Sequence, residues 1–214
     1  MLTVKRFVVN HFDVNCYLLW DTTTKQCAIV DPGMEQLHEE DAVDSYIAEN
    51  GLVPTLVLLT HAHVDHIAGL QHVCQRYSLP VTMHADGRRL LRQAPAYGSI
   101  MGFEVDDMSG LEVGEIVDGD LLRIGESEVE CRFVPGHCPG SMVYVLHGEE
   151  AVITGDALFC GSIGRTDLPG GNYQTLIDYL QRRVMTLPDN YSVLPGHGEY
   201  SSIDYERKYN SFLV

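Results

Sequence analysis

The sequence predicts an α/β protein built as a sandwich, in which two mixed β-sheets pack face to face and helices cover their outer faces. Strand-like and helix-like segments occur in two similar batches, one in each half of the 214-residue chain. Several apolar runs of strand length end in loops that carry histidine or aspartate, which is where α/β proteins place their ligand sites. The length fits one domain, which we place at residues 1–214.

The first half is predicted to contain five strands and two helices. The strands lie at Leu2–Val9, Asn15–Trp20, Gln26–Val30, from Leu56 to Thr60, and at Val81–His84. An amphipathic helix covers His38–Asn50, and Gly51 ends it. A second helix follows the fourth strand, because Ile67, Leu70, Val73 and Cys74 recur at helical spacing.

The middle of the chain is predicted to be mostly irregular. A short helix covers Arg88–Gln93, after which residues 94–117 lose periodicity but keep an apolar, glycine-interrupted stretch. Long irregular segments in compact domains are often binding loops or lids. We therefore expect Tyr97, Met101 and Phe103 to form a wall that faces the substrate, and a disordered segment is the alternative.

The second half repeats the alternation of strands and helices. Its predicted strands are Leu121–Ile124, Glu128–Val134, Met142–His147, Ala151–Thr154 and Ser192–Leu194. A loop over 155–172 leads to a helix from Tyr173 to Thr186, for which Asn172 is the expected N-cap. A last helix runs from about Ser202 to Asn210.

Composition and charge limit the possible partners. The formal net charge of −16 argues against nucleic acid and anionic membranes, since both are bound through clustered Lys and Arg. The N-terminus lacks the apolar core of a signal peptide, and the six cysteines form no CxxC pair. We expect a cytoplasmic protein with reduced thiols and a small-molecule substrate, and the sequence leaves its oligomeric state open.

Three histidines and one aspartate fall within six residues directly after a predicted strand. His61 and His63 are two residues apart, so an extended backbone directs both to one side. Asp65 and His66 lie where the next helix should begin. This loop can offer one pair of ligands to each of two metal ions, and imidazole and carboxylate suit zinc and also iron. A surface histidine cluster without function is the alternative.

Three later loops carry further candidate ligands, each just past an apolar strand. They are His137, Asp156 and His197, and each follows a glycine that allows the backbone to come close to a site. A single Gly-His or Gly-Asp turn is a weak signal. Three such turns after strands, together with the histidine-rich loop, are a strong one.

Thr60-His61-Ala62-His63-Val64-Asp65-His66 resembles the T-H-x-H-x-D-H signature of the metallo-β-lactamase superfamily. Its companion motifs follow in order as Gly136-His137-Cys138-Pro139-Gly140, Thr154-Gly155-Asp156 and Pro195-Gly196-His197-Gly198. The resemblance extends from about Val30 to Asn210 and is greatest to short glyoxalase II-like thioester hydrolases. It implies the αβ/βα four-layer sandwich of that superfamily.

The resemblance also implies which ligands bind each of two metal ions. His61, His63 and His137 should bind one metal, Asp65, His66 and His197 a second, and Asp156 should bridge both. Two divalent ions are expected, zinc first and iron as the alternative. A hydroxide between them would attack the substrate, with Asp65 and Asp156 as the catalytic carboxylates.

Three residues beside the ligands have alternative readings. Asp31 ends a strand and serves either turn chemistry or the orientation of a metal-bound histidine. Cys138 is either a small residue behind the metal ligands, which we favour, or a soft extra ligand. Arg165, in a Gly-Arg-Thr-Asp segment that recurs in persulfide dioxygenases, either binds an acidic part of the substrate or pairs with Asp167 to shape its loop.

The expected activity is metal-dependent hydrolysis of a thioester. A mononuclear iron persulfide dioxygenase and a lactonase of the same superfamily are the alternatives, because they keep most of the same ligands. Glyoxalase II proteins bind glutathione through basic residues in a C-terminal helical region. The tail after His197 offers only Arg207 and Lys208, so weak saturation by lactoylglutathione is expected.

Overall fold

The structure, a computed structural model, describes residues 1–214, and its strands form two six-stranded sheets and one hairpin. In the first sheet the strands follow chain order: β1 (Leu2–Val9), β2 (Val14–Asp21), β3 (Gln26–Val30), β4 (Val53–Leu58), β5 (Val81–Met83) and β6 (Val113–Glu115). The first three strands pair antiparallel, and β3 to β6 pair parallel. The first sheet is therefore mixed, as predicted.

The second sheet is also mixed. Its members are β7 (Leu121–Ile124), β8 (Ser127–Phe133), β9 (Met142–Leu146), β10 (Ala151–Gly155), β13 (Ser192–Pro195) and β14 (Ser201–Ser202), in the spatial order β14-β13-β10-β9-β8-β7. Only β10 and β13 pair parallel. The strands β11 (Leu158–Phe159) and β12 (Ser162–Ile163) form the separate hairpin.

Six α-helices flank the sheets. They are α1 (Leu37–Glu49), α2 (Val64–Ile67), α3 (Leu70–Tyr77), α4 (Arg88–Met101), α5 (Tyr173–Tyr179) and α6 (Ile203–Tyr209). The side chain of Asn172 accepts a hydrogen bond from the Thr175 backbone at 2.8 Å, which makes it the predicted N-cap of α5. A π-helical turn at Leu180–Val184 continues that helix. None of the helices has both the length and the apolar character needed to cross a bilayer.

Side chains that alternate along the central strands produce four layers. In β2, Cys16 and Leu18 belong to the core that also contains Val43 of α1, whereas the neighbouring Tyr17 and Leu19 lie between the two sheets. In β9, Tyr144 points between the sheets, while Val143 and Val145 pack with Leu176 and Leu180 on the other face. The predicted αβ/βα sandwich is confirmed.

The prediction for residues 88–117 is wrong in its first part, because the helix does not stop at Gln93. α4 continues through Pro95 to Met101, and Gly102 ends it with a left-handed φ of 88°. Leu91, Ala94 and Gly98 are buried on its inner face, and a Cβ on Gly98 would lie 3.3 Å from Val64. Tertiary packing of this face thus outweighs the local cost of a proline inside a helix.

The helix predicted after the histidine-rich loop is divided into α2 and α3 at Ala68–Gly69. A Cβ on Gly69 would lie 2.9 Å from the carbonyl oxygen of Met34, and the Gly69 N–H donates to the Pro32 carbonyl at 2.9 Å. The chain after β3 therefore passes directly against this break. The break fixes Asp65 and His66 in a separate short helix over the ends of the strands.

Candidate metal centre

The structure brings all seven predicted ligands to one edge of the sandwich. His61 and His63 follow β4, and Asp65 and His66 lie in α2. The others follow strands of the second sheet: His137 after β8, Asp156 after β10 and His197 after β13. The ends of both sheets thus contribute to one cluster, as strand ends do at ligand sites in α/β proteins.

One group of donors contains His61, His63 and His137, with Cys138 beside them. One donor atom from each of these four residues lies within 4.8 Å of the other three. Nε2 of His137 is 2.9 Å from Nδ1 of His63 and 3.6 Å from Oδ2 of Asp156. These spacings are compatible with ligands around one cation, since metal–nitrogen bonds of about 2.0–2.1 Å hold neighbouring donors a few ångströms apart.

A second group contains Asp65, His66 and His197. Nε2 of His66 is 3.3 Å from Nε2 of His197, which in turn is 3.2 Å from Oδ2 of Asp65. Asp156 lies between the two groups, with Oδ1 at 3.2 Å from His66 and Oδ2 at 3.6 Å from His137. Oδ2 is also 3.6 Å from Nε2 of His197, so the Asp156 carboxylate can reach ions held by either group.

Two buried polar atoms of this cluster support a metal-binding role. Nε2 of His61 and Oδ1 of Asp156 are buried and meet no hydrogen-bond geometry, and the Asp156 oxygen has only the charge contact with Nε2 of His66 at 3.2 Å. Leaving such atoms unpaired costs about 1–3 kcal/mol each. Cations bound by the two donor groups would satisfy both atoms, and the mixture of imidazole and carboxylate suits zinc or iron. The residues present thus fit a pair of divalent ions.

The opposite nitrogens of four histidines have partners that fix the orientation of each ring. Nδ1 of His61 lies 3.0 Å from Oγ1 of Thr60, and Nδ1 of His66 lies 3.0 Å from Oδ2 of Asp31. Nδ1 of His137 lies 2.8 Å from the carbonyl oxygen of Arg165, and Nδ1 of His197 lies 2.9 Å from that of Phe12. A carbonyl can only accept, so His137 and His197 carry their proton on Nδ1 and present a free Nε2 to the cluster.

Asp31 is placed against His66. Its side chain is buried, and it accepts hydrogen bonds from the Thr60 backbone at 2.7 Å and the Thr60 hydroxyl at 2.6 Å. Its backbone is left-handed, with φ 50°. The contact with His66 matches the orienting role that was one of its two predicted readings.

Burial and mutual charge separate the pKa values of the clustered groups. Burial, reinforced by neighbouring histidines, lowers the pKa of His61 well below its usual value and that of His63 to about 4. Burial opposes protonation of His66 as well, but Asp156 and Asp65 outweigh it and raise that pKa well above the usual value. His61 and His63 are therefore neutral near pH 7, as metal ligands must be, and a metal at His66 would displace a proton.

A cavity of about 620 Å³ opens above the cluster. Of the four predicted substrate contacts, Tyr97, Met101 and Arg165 line it. Phe103 does not, and that expectation is corrected. Its side chain is only 2% exposed and packs beneath Phe12, with ring centroids 5.2 Å apart, because α4 ends before it and the chain turns inward.

The neighbours of Arg165 and Cys138 bear on their alternative readings. The Arg165 guanidinium pairs with both carboxylate oxygens of Asp167 at 2.8 Å, which is the loop-shaping arrangement. Burial raises the pKa of the Cys138 thiol to about 12, and its sulfur lies 3.3 Å from the hydroxyl of Ser141. All six cysteines are free thiols.

Sequence reasoning missed the turn between β1 and β2. Asn10 donates from its side chain to the carbonyl of Asp65 at 2.8 Å, and the carbonyl of Phe12 accepts from His197. The ring of Phe12 also lines the cavity, as do Leu90, Ala94 and Phe159. A backbone carbonyl cannot be recognised from residue identity. The Asn between two predicted strands was the one available signal, because asparagine often adopts the left-handed conformation that Asn10 has here, with φ 55°.

A family model described as the metallo-beta-lactamase superfamily matches residues 9–197. Among curated proteins, the chain is 40% identical to the "Probable metallo-hydrolase YqgX" of Bacillus subtilis, over 98% of this chain and 96% of that protein. It is 32% identical to the "Hydroxyacylglutathione hydrolase GloC" of Haemophilus influenzae, over 99% of this chain and 98% of that protein.

Solved structures with the same fold include the BLEG-1 B3 metallo-beta-lactamase, with a TM-score of 0.88 and 31% identity over 99% of this chain and 100% of that one. The di-iron-bound form of TTHA1623 has a TM-score of 0.87 and 30% identity, covering 98% and 100%. ETHE1 from Myxococcus xanthus has a TM-score of 0.79 and 30% identity, over 98% of this chain and 83% of that one. The motifs, the four-layer fold and these matches agree, and the chain belongs to the metallo-β-lactamase superfamily of metal-dependent hydrolases.

Proposed function

We propose that this protein hydrolyses thioesters with two divalent ions, zinc in the first instance, held in the candidate metal centre. The observation that carries the proposal is the convergence of two donor groups on Asp156 at the floor of an apolar cavity. Similarity to a hydroxyacylglutathione hydrolase over nearly the full length supports the substrate class.

Bound divalent ions would lower the pKa of water to near 7 and act as Lewis acids toward a carbonyl oxygen. His61, His63 and His137 would hold one ion, and Asp65, His66 and His197 the other, with Asp156 between them. Asp65 lines the cavity, so its carboxylate can accept a hydrogen bond from the attacking water. A thiol leaves readily as thiolate, since its pKa is about 8.5, and needs no strong acid.

An iron-dependent persulfide dioxygenase is the second candidate. The Gly164–Asp167 segment resembles that family. A neighbour solved in a di-iron-bound form makes iron a candidate metal, although that protein holds two irons and a persulfide dioxygenase uses one. The gathering of Asp65, His66 and His197 as a second set of three possible ligands supports two bound ions, which the proposed hydrolase uses and a mononuclear iron enzyme does not require. The lactonase alternative uses the same two groups and differs in the ester that the cavity accepts.

Metal content and two assays separate these candidates. Protein purified without added metal is analysed for zinc and iron, then assayed for thioester hydrolysis and for oxygen uptake on a persulfide. Two zinc ions per chain with hydrolysis and no uptake support the proposal. One iron per chain with rapid oxygen uptake would overturn it.

A variant tests Asp156 directly. Asp156→Ala should lose one metal and reduce turnover by more than the 10–100-fold that removal of a partner behind a ligand typically costs. Asp178→Ala, a carboxylate on the exposed side of α5, is the matched control. Unchanged metal content and turnover in Asp156→Ala would contradict the assignment.

Acid and chelators should act through the same ligands. Metal-bound histidines must be neutral, and His66, whose pKa the neighbouring Asp156 and Asp65 raise, is the ligand for which protons compete most strongly, so activity should fall below about pH 6. Prolonged chelation should abolish turnover and zinc should restore it. Full activity in a sample verified to be metal-free would contradict a metallohydrolase.

A further inference from the structure

The cavity above the cluster is apolar along one complete wall. Leu90, Ala94, Tyr97 and Met101 of α4 recur at positions i, i+4, i+7 and i+11, and all four line the cavity. This spacing places them on one face of the helix, which we call the α4 stripe. Phe12, Phe159 and Leu168 line the other sides.

Charge in the cavity is confined to the metal centre and one arginine. His63, Asp65, His137, Asp156 and His197 are its polar floor, and Arg165 is the only cationic side chain beyond them. That guanidinium is held by both oxygens of Asp167, so its charge and its forked donors are already matched. Asp167 therefore offsets part of the positive charge that a substrate carboxylate would meet at this arginine.

The cations of α4 do not change this picture. Arg88, Arg89 and Arg92 occupy other faces of the helix and are not among the residues that line the cavity. Arg88 pairs with Glu115 at 3.3 Å. The chain as a whole carries a net charge of −16, which repels anionic substrates as they approach.

We propose that the preferred substrate has an apolar acyl chain lying along the α4 stripe and an uncharged thiol part, rather than the anionic thiol of a glutathione thioester. The thioester chemistry rests on the proposed function, whereas the preference for an uncharged, apolar ligand rests on the cavity wall. A cavity of about 620 Å³ lies within the roughly 300–1,000 Å³ typical of small-molecule sites and accommodates such a chain.

Binding and turnover are measured separately, so that each proposal can fail on its own. Binding to the zinc-loaded protein is measured by calorimetry with two non-hydrolysable thioethers, S-hexyl-N-acetylcysteamine and S-hexylglutathione. The uncharged thioether should bind at least tenfold tighter. Equal or tighter binding of the glutathione thioether would overturn the inference, whatever the hydrolytic activity.

Chain length provides the second test. Among N-acetylcysteamine thioesters from acetyl to hexanoyl, kcat/KM should rise about three- to fourfold per methylene, the factor expected from burying a methylene. A flat series would overturn the acyl placement. Failure of the protein to hydrolyse any thioester, with tight binding of the uncharged thioether, would overturn the thioesterase proposal and support the apolar ligand class.

A positive charge introduced on the α4 stripe should reduce the preference for the uncharged thioether. Met101→Arg places a cation at a cavity position that is 41% exposed, and should improve S-hexylglutathione binding relative to the uncharged thioether. Ile100→Arg adds the same charge one residue away, on a side chain that is 82% exposed and off the stripe. An equal shift in both variants would show that overall charge, not the stripe, sets the preference.

Discussion

At the residue scale, the candidate metal centre depends on the hydrogen-bond partner of each histidine's Nδ1 atom. His66 contacts Asp31, whereas His137 and His197 donate to backbone carbonyls of distant loops. Gly196 shows how tight the arrangement is, because a Cβ there would lie 2.3 Å from Oδ1 of Asp156. The orientation of the ligands is therefore built into the chain around them.

The first prediction concerns Asp31→Asn. Asparagine tolerates the left-handed φ, so the backbone should hold. Its NH₂ group would face either the Thr60 backbone N–H, which can only donate, or the Thr60 hydroxyl and the His66 ring together. Metal affinity should weaken about 10–100-fold. Competition with a chromophoric chelator measures this. Asp44→Asn, which alters a carboxylate bonded to His72 away from the cluster, should leave affinity unchanged.

A second prediction concerns Cys138→Ser. The burial that raises the pKa of this thiol to about 12 favours a neutral group, and serine keeps its size and its contact with Ser141. Metal stoichiometry should not change. The cobalt-substituted protein should show no thiolate charge-transfer absorption attributable to Cys138. A band that disappears in Cys138→Ser but persists in the control Cys160→Ser would identify the sulfur as a ligand.

The convergence of the seven candidate ligands was predictable because each is a distinctive side chain that lies in a loop or short helix shortly after an apolar run. Sequence alone could not show that Phe12 supports His197, since the contact uses a carbonyl that every residue has. Phe103 was misplaced for a related reason. The sequence does not distinguish an apolar residue that lines a cavity from one that packs behind the cavity wall, as the buried Phe103 does.

At the element scale, α4 shows where local signals fail. Pro95 and Gly98 are poor helix residues, so the local sequence predicts an end at Gln93. The long-range contact that requires Gly98, close to Val64 of α2, is invisible in a local window. The same continuous helix is what aligns the four residues of the stripe along the cavity.

Glu206 of α6 holds the β11–β12 hairpin, which lines another side of the cavity. This buried carboxylate accepts from the Gly161 backbone at 3.0 Å and from Asn210 at 2.7 Å, and also from Ser201. Asn210 in turn donates to the Ser162 carbonyl at 3.1 Å. The helix thus fixes the β11–β12 hairpin, whose Phe159 lines the cavity.

Glu206→Gln should loosen that hairpin, because the amide nitrogen replaces an oxygen where only an acceptor fits. We expect a loss of about 1–3 kcal/mol in the free energy of unfolding and a higher KM. Urea denaturation and steady-state kinetics measure the two effects. Asp204→Asn, which breaks an exposed pair with Lys208 on the same helix, should cost at most about 1 kcal/mol and leave KM unchanged.

At the scale of the whole molecule, the four layers were predictable because strands buried on both faces have apolar residues at successive positions, as in β2 and β9. The contacts that join the two sheets at the end away from the candidate metal centre could not be predicted. Asp21, at the end of β2, accepts from Ser127 of β8 at 2.8 Å and from the Thr24 backbone at 2.8 Å. A single Asp in a hairpin turn does not indicate from sequence that its partner lies 106 residues further along the chain.

Those hydrogen bonds, first from the Thr24 backbone and then from Ser127, lower the pKa of Asp21 well below its usual value. The carboxylate is therefore favoured in the folded state, and its stabilisation is complete above the unfolded-state pKa of about 3.9. It is lost as the pH falls through the lower folded-state pKa. Asp21→Asn should consequently be less stable than the parent protein at pH 7, and the difference should shrink below about pH 4.

Urea denaturation at pH 7, 5 and 3 measures this difference. Chelator-treated protein is used throughout, so that metal loss does not add its own pH dependence. Asp107→Asn is the control, because Asp107 also has a lowered pKa but makes only exposed hydrogen bonds to Ser109 within its own turn. A destabilisation by Asp21→Asn that is as large at pH 3 as at pH 7 would mean that shape, rather than the ionised carboxylate, holds the two sheets together at this end.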